Sequence, residues 1–244
     1  MRRSGGPLET ELFSRFFAVE DQHWWFVGRR RIVLDQLTAH WVHGPLLDLG
    51  CGTGGVLKHL LRYGPAVGVD PSPEAVGYCR RRGLPVALAS GDCLPFADAT
   101  FGAVLALDVI EHVDDDVGLL REARRVLRPG GVVIITVPAL PWLWSSHDDV
   151  NHHRRRYLRG TLARAVRAAG LEPCKISYYN ALLLPLAVTR KVLHRLNGTG
   201  DHLETLPGPA NALLRGVLTA ERPLIRRWDL PLGASLVCTA RRPA

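Results

Sequence analysis

The sequence predicts an α/β protein built on a doubly wound parallel sheet. Three observations carry this. Short apolar runs alternate with helical segments, the first run ends in a glycine-rich turn that opens a helix, and 244 residues at 47% hydrophobic content suffice for one substantial core. Strands are expected near 46–49, 66–69, 86–89, 103–107 and 132–137, with helices near 54–62, 73–82, 117–128 and 159–169. Repeated β-α order requires parallel strands with helices on both faces.

Ahead of the first strand, residues 8–20 and 30–42 read as helices. Leu12, Phe13, Phe16 and Phe17 form one stripe and Ile32, Val33, Leu37 and Trp41 another, as expected of a helical cap over the sheet edge and a ligand cleft. On a helix the adjacent Trp24 and Trp25 point about 100° apart, so one faces the core and the other can wall the cleft. Leu46-Leu47-Asp48-Leu49 is too short for a helix of its own, and Gly50, Gly52 and Gly54 tolerate backbone angles that a side chain forbids. Val56, Leu57, Leu60 and Leu61 then resume at helical spacing. Strand, glycine loop and helix open a Rossmann-type unit, in which a ligand approaches the main chain at a helix start. Gly50, Gly52 and Gly55 also spell the GxGxxG of dinucleotide enzymes, and Asp70, ending the strand AVGVD, stands where an acid accepts hydrogen bonds from ribose hydroxyls. Both cofactor types remain open at this point. Further on, Arg128-Pro129-Gly130-Gly131 ends the fourth helix and turns into GVVIITV, and LPLGASLVCTARR reads as a late strand.

The segment SGDCLPFADATFGAVLALDVIEHV, with Asp92 and Cys93 after the third strand and Asp108 closing the fourth, separates the two. With Asp48, the glycines and Asp70 it resembles, over about Pro45 to Pro138, the class I S-adenosylmethionine-dependent methyltransferases, and within them the type 11 methyltransferase-like family. HWWFVGRR (His23 to Arg30) and HRRRY (His153 to Tyr157) resemble one branch of that family. The resemblance implies a Rossmann-like, doubly wound seven-stranded sheet with an antiparallel last strand, residues 172–180 supplying that strand's neighbour. It implies cofactor contacts from Asp48, Gly50, Gly52, Gly54, Asp70, Pro71, Asp92, Cys93 and Asp108, with Arg29 a candidate for the methionine carboxylate and S-adenosylhomocysteine as the product.

Composition bounds the rest. The chain reads as one methyltransferase domain, with a cap at 1–44, a cofactor-binding core at 45–180, a helical insertion at 181–229 and the final strand at 230–244. Five scattered cysteines without CxxC or histidine spacing indicate a reduced, cytoplasmic protein with no metal site. No signal-peptide core or apolar run of bilayer length occurs. The net charge of +8 is spread over the chain with few interleaved aromatics, which speaks against nucleic acid and for an anionic small molecule or peptide. Two leucine- and arginine-rich helices expected in 181–229 suit a lid over the substrate pocket, with peripheral membrane contact as the rival use. The oligomeric state is not legible.

Transfer from a sulfonium is an in-line displacement, for which the protein supplies alignment and exclusion of water. A hydroxyl or amine acceptor also needs a base, for which the candidates are His112, His147, His152 and His153, with His112 and His153 the catalytic pair. His152, Arg156, Tyr157 and Trp144 are candidates for substrate contact. Arg154, Arg155 and Arg156 cannot all face one pocket, so most are expected to pair with acids such as Asp148 and Asp149, leaving one to clamp an anionic acceptor. Trp142 and Trp144 would share a face if the chain there is extended. The expected activity is O-methylation of a small natural product, a modified peptide or a lipid-linked intermediate. The alternatives are N- or C-methylation, a nicotinamide-dependent oxidoreductase, and a cofactor-binding protein without catalysis.

Overall fold

The computed structural model describes residues 7–41, 43–197 and 208–244. Seven strands, β1 (Leu46–Leu49), β2 (Ala66–Asp70), β3 (Val86–Leu88), β4 (Phe101–Leu107), β5 (Leu127–Pro138), β6 (Glu172–Tyr179) and β7 (Ser235–Arg241), form one sheet in the order β3-β2-β1-β4-β5-β7-β6. Every residue of β1 and β4 is buried, as an unbroken apolar run must be when helices cover both faces. β1 to β5 run parallel, whereas β7 lies antiparallel between β5 and β6, pairing Val237 with both Thr136 and Ser177. The expected fold class is the observed one.

Two apolar layers flank the sheet. On one face α5 (Asp116–Val126) and α7 (Arg159–Ala168) bury Leu120, Val126, Leu162 and Val166 against Leu47, Val104 and Ile135. On the other, α2 (Trp24–His40) buries Ile32, Val33 and Leu37 with Leu46, Leu105 and Ile134. α1 (Pro7–Val19) reaches α4 (Pro73–Arg81), with Phe17 against Tyr78 and the Arg82 guanidinium 4.3 Å from the Phe17 ring. α2 begins at Trp24 rather than at residue 30, so HWWFVGRR supplies its cap and first turns: His23 is the N-cap, and its ring accepts the Trp25 N–H. Trp24 packs on the core, and Trp25 stacks under Arg29 at 4.4 Å.

Several boundaries differ from the sequence-based expectation for local reasons. The helix expected at 54–62 shrinks to α3 (Leu57–Leu60), because Gly54 at φ +87° holds the chain outside the helical region. α5 ends at Val126, and β5 begins at once with Leu127 opposite Phe101. A register shift then absorbs Gly130 at φ +76°, so RPGG lies within the strand.

The insertion contributes three helices among the described residues, α8 (Leu184–Asn197), α9 (Gly208–Ala220) and α10 (Arg222–Arg227), where two were expected; residues 198–207 lie outside the described set. α9 and α10 are bound to the cap. Gly28 faces the buried Leu218, Asn211 accepts from the Trp24 amide and donates to the Gln22 carbonyl, and Asp35 takes Arg222 through two bonds of 2.7 Å and Arg226 at 2.5 Å. Glu221, fully buried, accepts the Leu182 amide at 2.8 Å. α8 reaches the loop after β5 through Lys191, which donates to the Trp142 and Trp144 carbonyls. No helix among the described residues is long and apolar enough to cross a membrane.

Candidate active site

The carboxyl ends of β1, β2, β4 and β5 converge, which is where open α/β sheets place ligands. Gly50, Gly52 and Gly54 sit at φ +71°, +53° and +87°. A Cβ on Gly50 would strike Val109 at 2.5 Å and one on Gly54 would strike Leu84 at 2.4 Å, whereas nothing lies within 4 Å of one on Gly52. Two glycines are therefore required by packing, and the third keeps a space open above the main chain. The loop is held from below and from the side. Asp70 accepts the Gly52 and Ser72 amides at 2.9 Å, and the buried Cys79 thiol donates to the Gly52 carbonyl at 3.3 Å. Glu20 accepts the Thr53 hydroxyl at 2.6 Å and pairs with Arg82 at 2.7 Å.

Beside the loop lies a charged group with little access to water. Asp48 is 2% exposed, and its Oδ2 has no partner. Burial pushes its carboxyl up to about 7, against the pull of Arg29. Arg29 pairs with Asp108, while its Nε is buried without a partner. Asp108 takes φ +55°, uncommon for a residue with a side chain, and accepts the Thr136 hydroxyl at 3.1 Å. Glu111 is fully buried with both carboxylate oxygens unpaired, and burial pushes it up to about 8. A cation is the natural complement to Asp48, Asp108 and Glu111, and a carboxylate to Arg29. The sulfonium and amino acid ends of S-adenosylmethionine supply both, so these residues and the open Gly52 fit that cofactor.

The loop after β5 arches over this corner. It makes a 3₁₀ turn at Pro141–Leu143 and the short α6 (Ser146–Val150), so Trp142 and Trp144 do not share an extended face. Trp142 is 53% exposed, and the Trp144 indole donates to Asp149 at 3.0 Å. Asp148, fully buried, is the hub of the loop: it accepts the Ser145 amide at 2.8 Å, His153 Nδ1 lies 2.8 Å from it, and Arg156 binds it through two bonds of 2.8 and 2.9 Å. Burial raises its pKa, but the bonds from His153 and Arg156 hold the carboxyl well below the usual range.

HRRRY is a strap onto the loop after β4. The Arg154 amide donates to the Glu111 carbonyl and its Nε to the His112 carbonyl, and Arg155 donates to the Val113 and Asp114 carbonyls. Arg154 pairs with Asp114, and Arg155 with Asp116. Arg156 also donates to the Ala139 carbonyl, and the buried Tyr157 hydroxyl donates to Asp116 at 2.7 Å. The Arg154 and Arg155 guanidiniums and the tyrosine thus hold one loop to the other, while Arg156 braces the loop after β5 from within. His152 sits at φ +55° in the turn, leading into His153.

The strap brings His153 to His112, with ring centroids 4.8 Å apart. Burial first, then the neighbouring His153, pushes His112 down to about 4, so its ring is neutral at physiological pH. Sequence reasoning named both histidines, Asp48, the glycines, Asp70, Asp108 and Arg29, and the fold gathers them at one edge of the sheet. Asp92 and Cys93 are exposed in the loop after β3, and Pro71 is exposed beside Asp70. Missed were Glu20 and Glu111 as members of the site, and the pairing of Asp148 with His153, although its pairing with one of the arginines was expected and is observed with Arg156. The signal for Glu111 was present, an acid inside an otherwise apolar post-strand segment, whereas the partners of Glu20 only the fold reveals.

Residues 47–135 match the family model described as a methyltransferase domain. Residues 47–135 are thus similar to methyltransferase domains in sequence, and the chain shares the fold of solved methyltransferases. The domain is 40% identical over 124 residues to norajmaline N-methyltransferase of Rauvolfia serpentina, covering 47% of this chain and 42% of that protein. It is 33% identical over 139 residues to demethylmenaquinone methyltransferase of Tropheryma whipplei, covering 54% and 56%. The matches span about half the length of these curated relatives. The methyltransferase fold extends over nearly the whole chain. The methyltransferase solved in complex with the Haloferax volcanii Trm112 methyltransferase activator superposes with a TM-score of 0.63 at 22% identity, covering 96% of this chain and 95% of that one.

Proposed function

We propose that this methyltransferase domain transfers the methyl group of S-adenosylmethionine to an oxygen of a small natural product, a modified peptide or a lipid-linked intermediate. The carrying observation is the buried, half-unpaired Asp48 set beside the open Gly52, whose amide Asp70 holds at the end of β2. Bound there, the cofactor supplies an electrophilic methyl carbon. Asp70 orients the ribose, Asp48 faces the ammonium, Arg29 takes the carboxylate, and the strap over the cleft excludes water. Activation of the acceptor falls to the cluster of Glu111, His112 and His153. His153 is the base for a hydroxyl: Asp148 holds its Nδ1 side, which leaves Nε2 to take the proton.

The relatives are named for N-methylation of norajmaline and for demethylmenaquinone, so similarity alone does not choose the acceptor atom. The His153–Asp148 pair favours an acceptor that must lose a proton. Calorimetry against S-adenosylmethionine, S-adenosylhomocysteine and NADH is the first test. Micromolar binding of the two adenosyl ligands and none of NADH is expected, and the reverse pattern would overturn the reading. Methyl transfer to hydroxyl, carboxylate and amine acceptors, followed by mass spectrometry, then tests the choice of oxygen.

A further inference from the structure

Among the described residues, one donor from each of Glu111, His112 and His153 lies within 4.8 Å of the other two. Glu111 carries two unpaired carboxylate oxygens at zero exposure, apart from the nearness of its own backbone amide. A carboxyl so placed lacks a hydrogen-bond partner, and its charged form is costly there unless a cation arrives. The neighbouring guanidiniums are already engaged, Arg29 with Asp108 and Arg156 with Asp148. We infer that Glu111, His112 and His153 form a binding site for one divalent transition-metal ion at the acceptor side of the cleft.

The surroundings have the form that metal-ligating histidines require. His153 places Nδ1 at 2.8 Å from the buried Asp148, the carboxylate–histidine arrangement that fixes the tautomer and aims Nε2 at an ion. The His112 ring lies against the backbone of Asn151 and His152, and one of its nitrogens lies within 4.8 Å of the donors of Glu111 and His153. Two imidazoles and one carboxylate suit zinc, cobalt, manganese or iron(II) better than magnesium or calcium. A tetrahedral ion about 2.1 Å from each donor needs them about 3.4 Å apart, so the side chains close by about an ångström on binding. Three protein donors leave a coordination position open. Resting on the proposed reaction for its occupant alone, that position takes the acceptor's oxygen, and the ion then replaces His153 as the group that favours its deprotonated form.

The test is titration of the untagged, chelator-stripped full chain with Co²⁺ followed by visible absorption, and with Zn²⁺ in competition. Expected are one equivalent bound with d–d bands of mixed nitrogen and oxygen ligation, and an affinity about tenfold or more weaker in each of Glu111→Gln, His112→Gln and His153→Gln. Thermal melts check folding. Should the buried Glu111→Gln fail to melt cooperatively, the two histidine variants decide. No binding, or binding that the histidine variants leave unchanged, overturns the site. Calorimetry with S-adenosylhomocysteine is run on the same preparations: its failure counts against the proposed reaction and leaves the metal result standing.

Discussion

Gly52 and Gly54 adopt similar left-handed backbone angles for different reasons, and substitution separates them. Gly52→Ala meets no atom, so its cost is the backbone strain of about 1–2 kcal/mol, together with the loss of the open space above the loop. Its melting temperature should fall modestly and its affinity for S-adenosylhomocysteine steeply. Gly54→Ala drives a methyl into Leu84 and Cys79 and should lose stability first, visible in urea titration before any binding assay. Asp70→Asn keeps the shape but halves the acceptor capacity shared among Gly52, Ser72 and the ribose. Calorimetry should show about a tenfold loss of adenosyl-ligand affinity, and an unchanged value would remove Asp70 from the cofactor site.

At the level of elements, α2 is the hinge of the architecture, because it carries Arg29 toward the site and Gly28 and Asp35 toward the insertion. A Cβ on Gly28 would lie 2.4 Å from Leu218 Cδ2 and 2.8 Å from its Cγ, inside a filled layer. Gly28→Ala should therefore destabilise by about 1–3 kcal/mol despite the better helix propensity of alanine, and adding Leu218→Ala should recover part of the loss. Asp35 binds α10 to α2. Burial raises its carboxyl, but the bonds from Arg222 and Arg226 win and lower it below 3.8. A depressed folded-state pKa means that the stabilisation is present above the ordinary carboxylate value and is lost as the pH falls through the folded one. Asp35→Asn should cost about 1–3 kcal/mol at pH 7 in urea unfolding, and the gap to the parent chain should narrow below about pH 4.

For the whole molecule, cofactor binding and folding are linked, because the glycine loop, Asp70, Arg29 and the strap come from separate stretches of chain. S-adenosylhomocysteine at about a hundredfold its dissociation constant should add about 2.7 kcal/mol, or roughly 5–11 °C in melting temperature. NADH should add nothing, and a shift with NADH alone would reassign the glycine loop to a dinucleotide. HRRRY, read in the sequence as a source of one substrate clamp, works at this scale too. Its arginines join the loops after β4 and β5 through the Glu111, His112, Val113 and Asp114 carbonyls, and so set the distance between His112 and His153.

The sequence by itself determined the elements whose causes are local. The buried strand 46–49, the left-handed glycines, the acid at the end of β2 and the α/β alternation follow from periodicity and backbone sterics, which neighbouring residues decide. Tertiary structure alone decided the partnerships. Glu111 became an unpaired buried acid, Asp35 a clamp, and Asp148 a partner of His153 as well as of an arginine, and no residue type or spacing encodes these outcomes. The physical reason is that desolvation and hydrogen-bond satisfaction depend on what chain-distant segments bring to the same place. A carboxylate has the same identity in solvent and in the core, but only burial makes its missing partner costly.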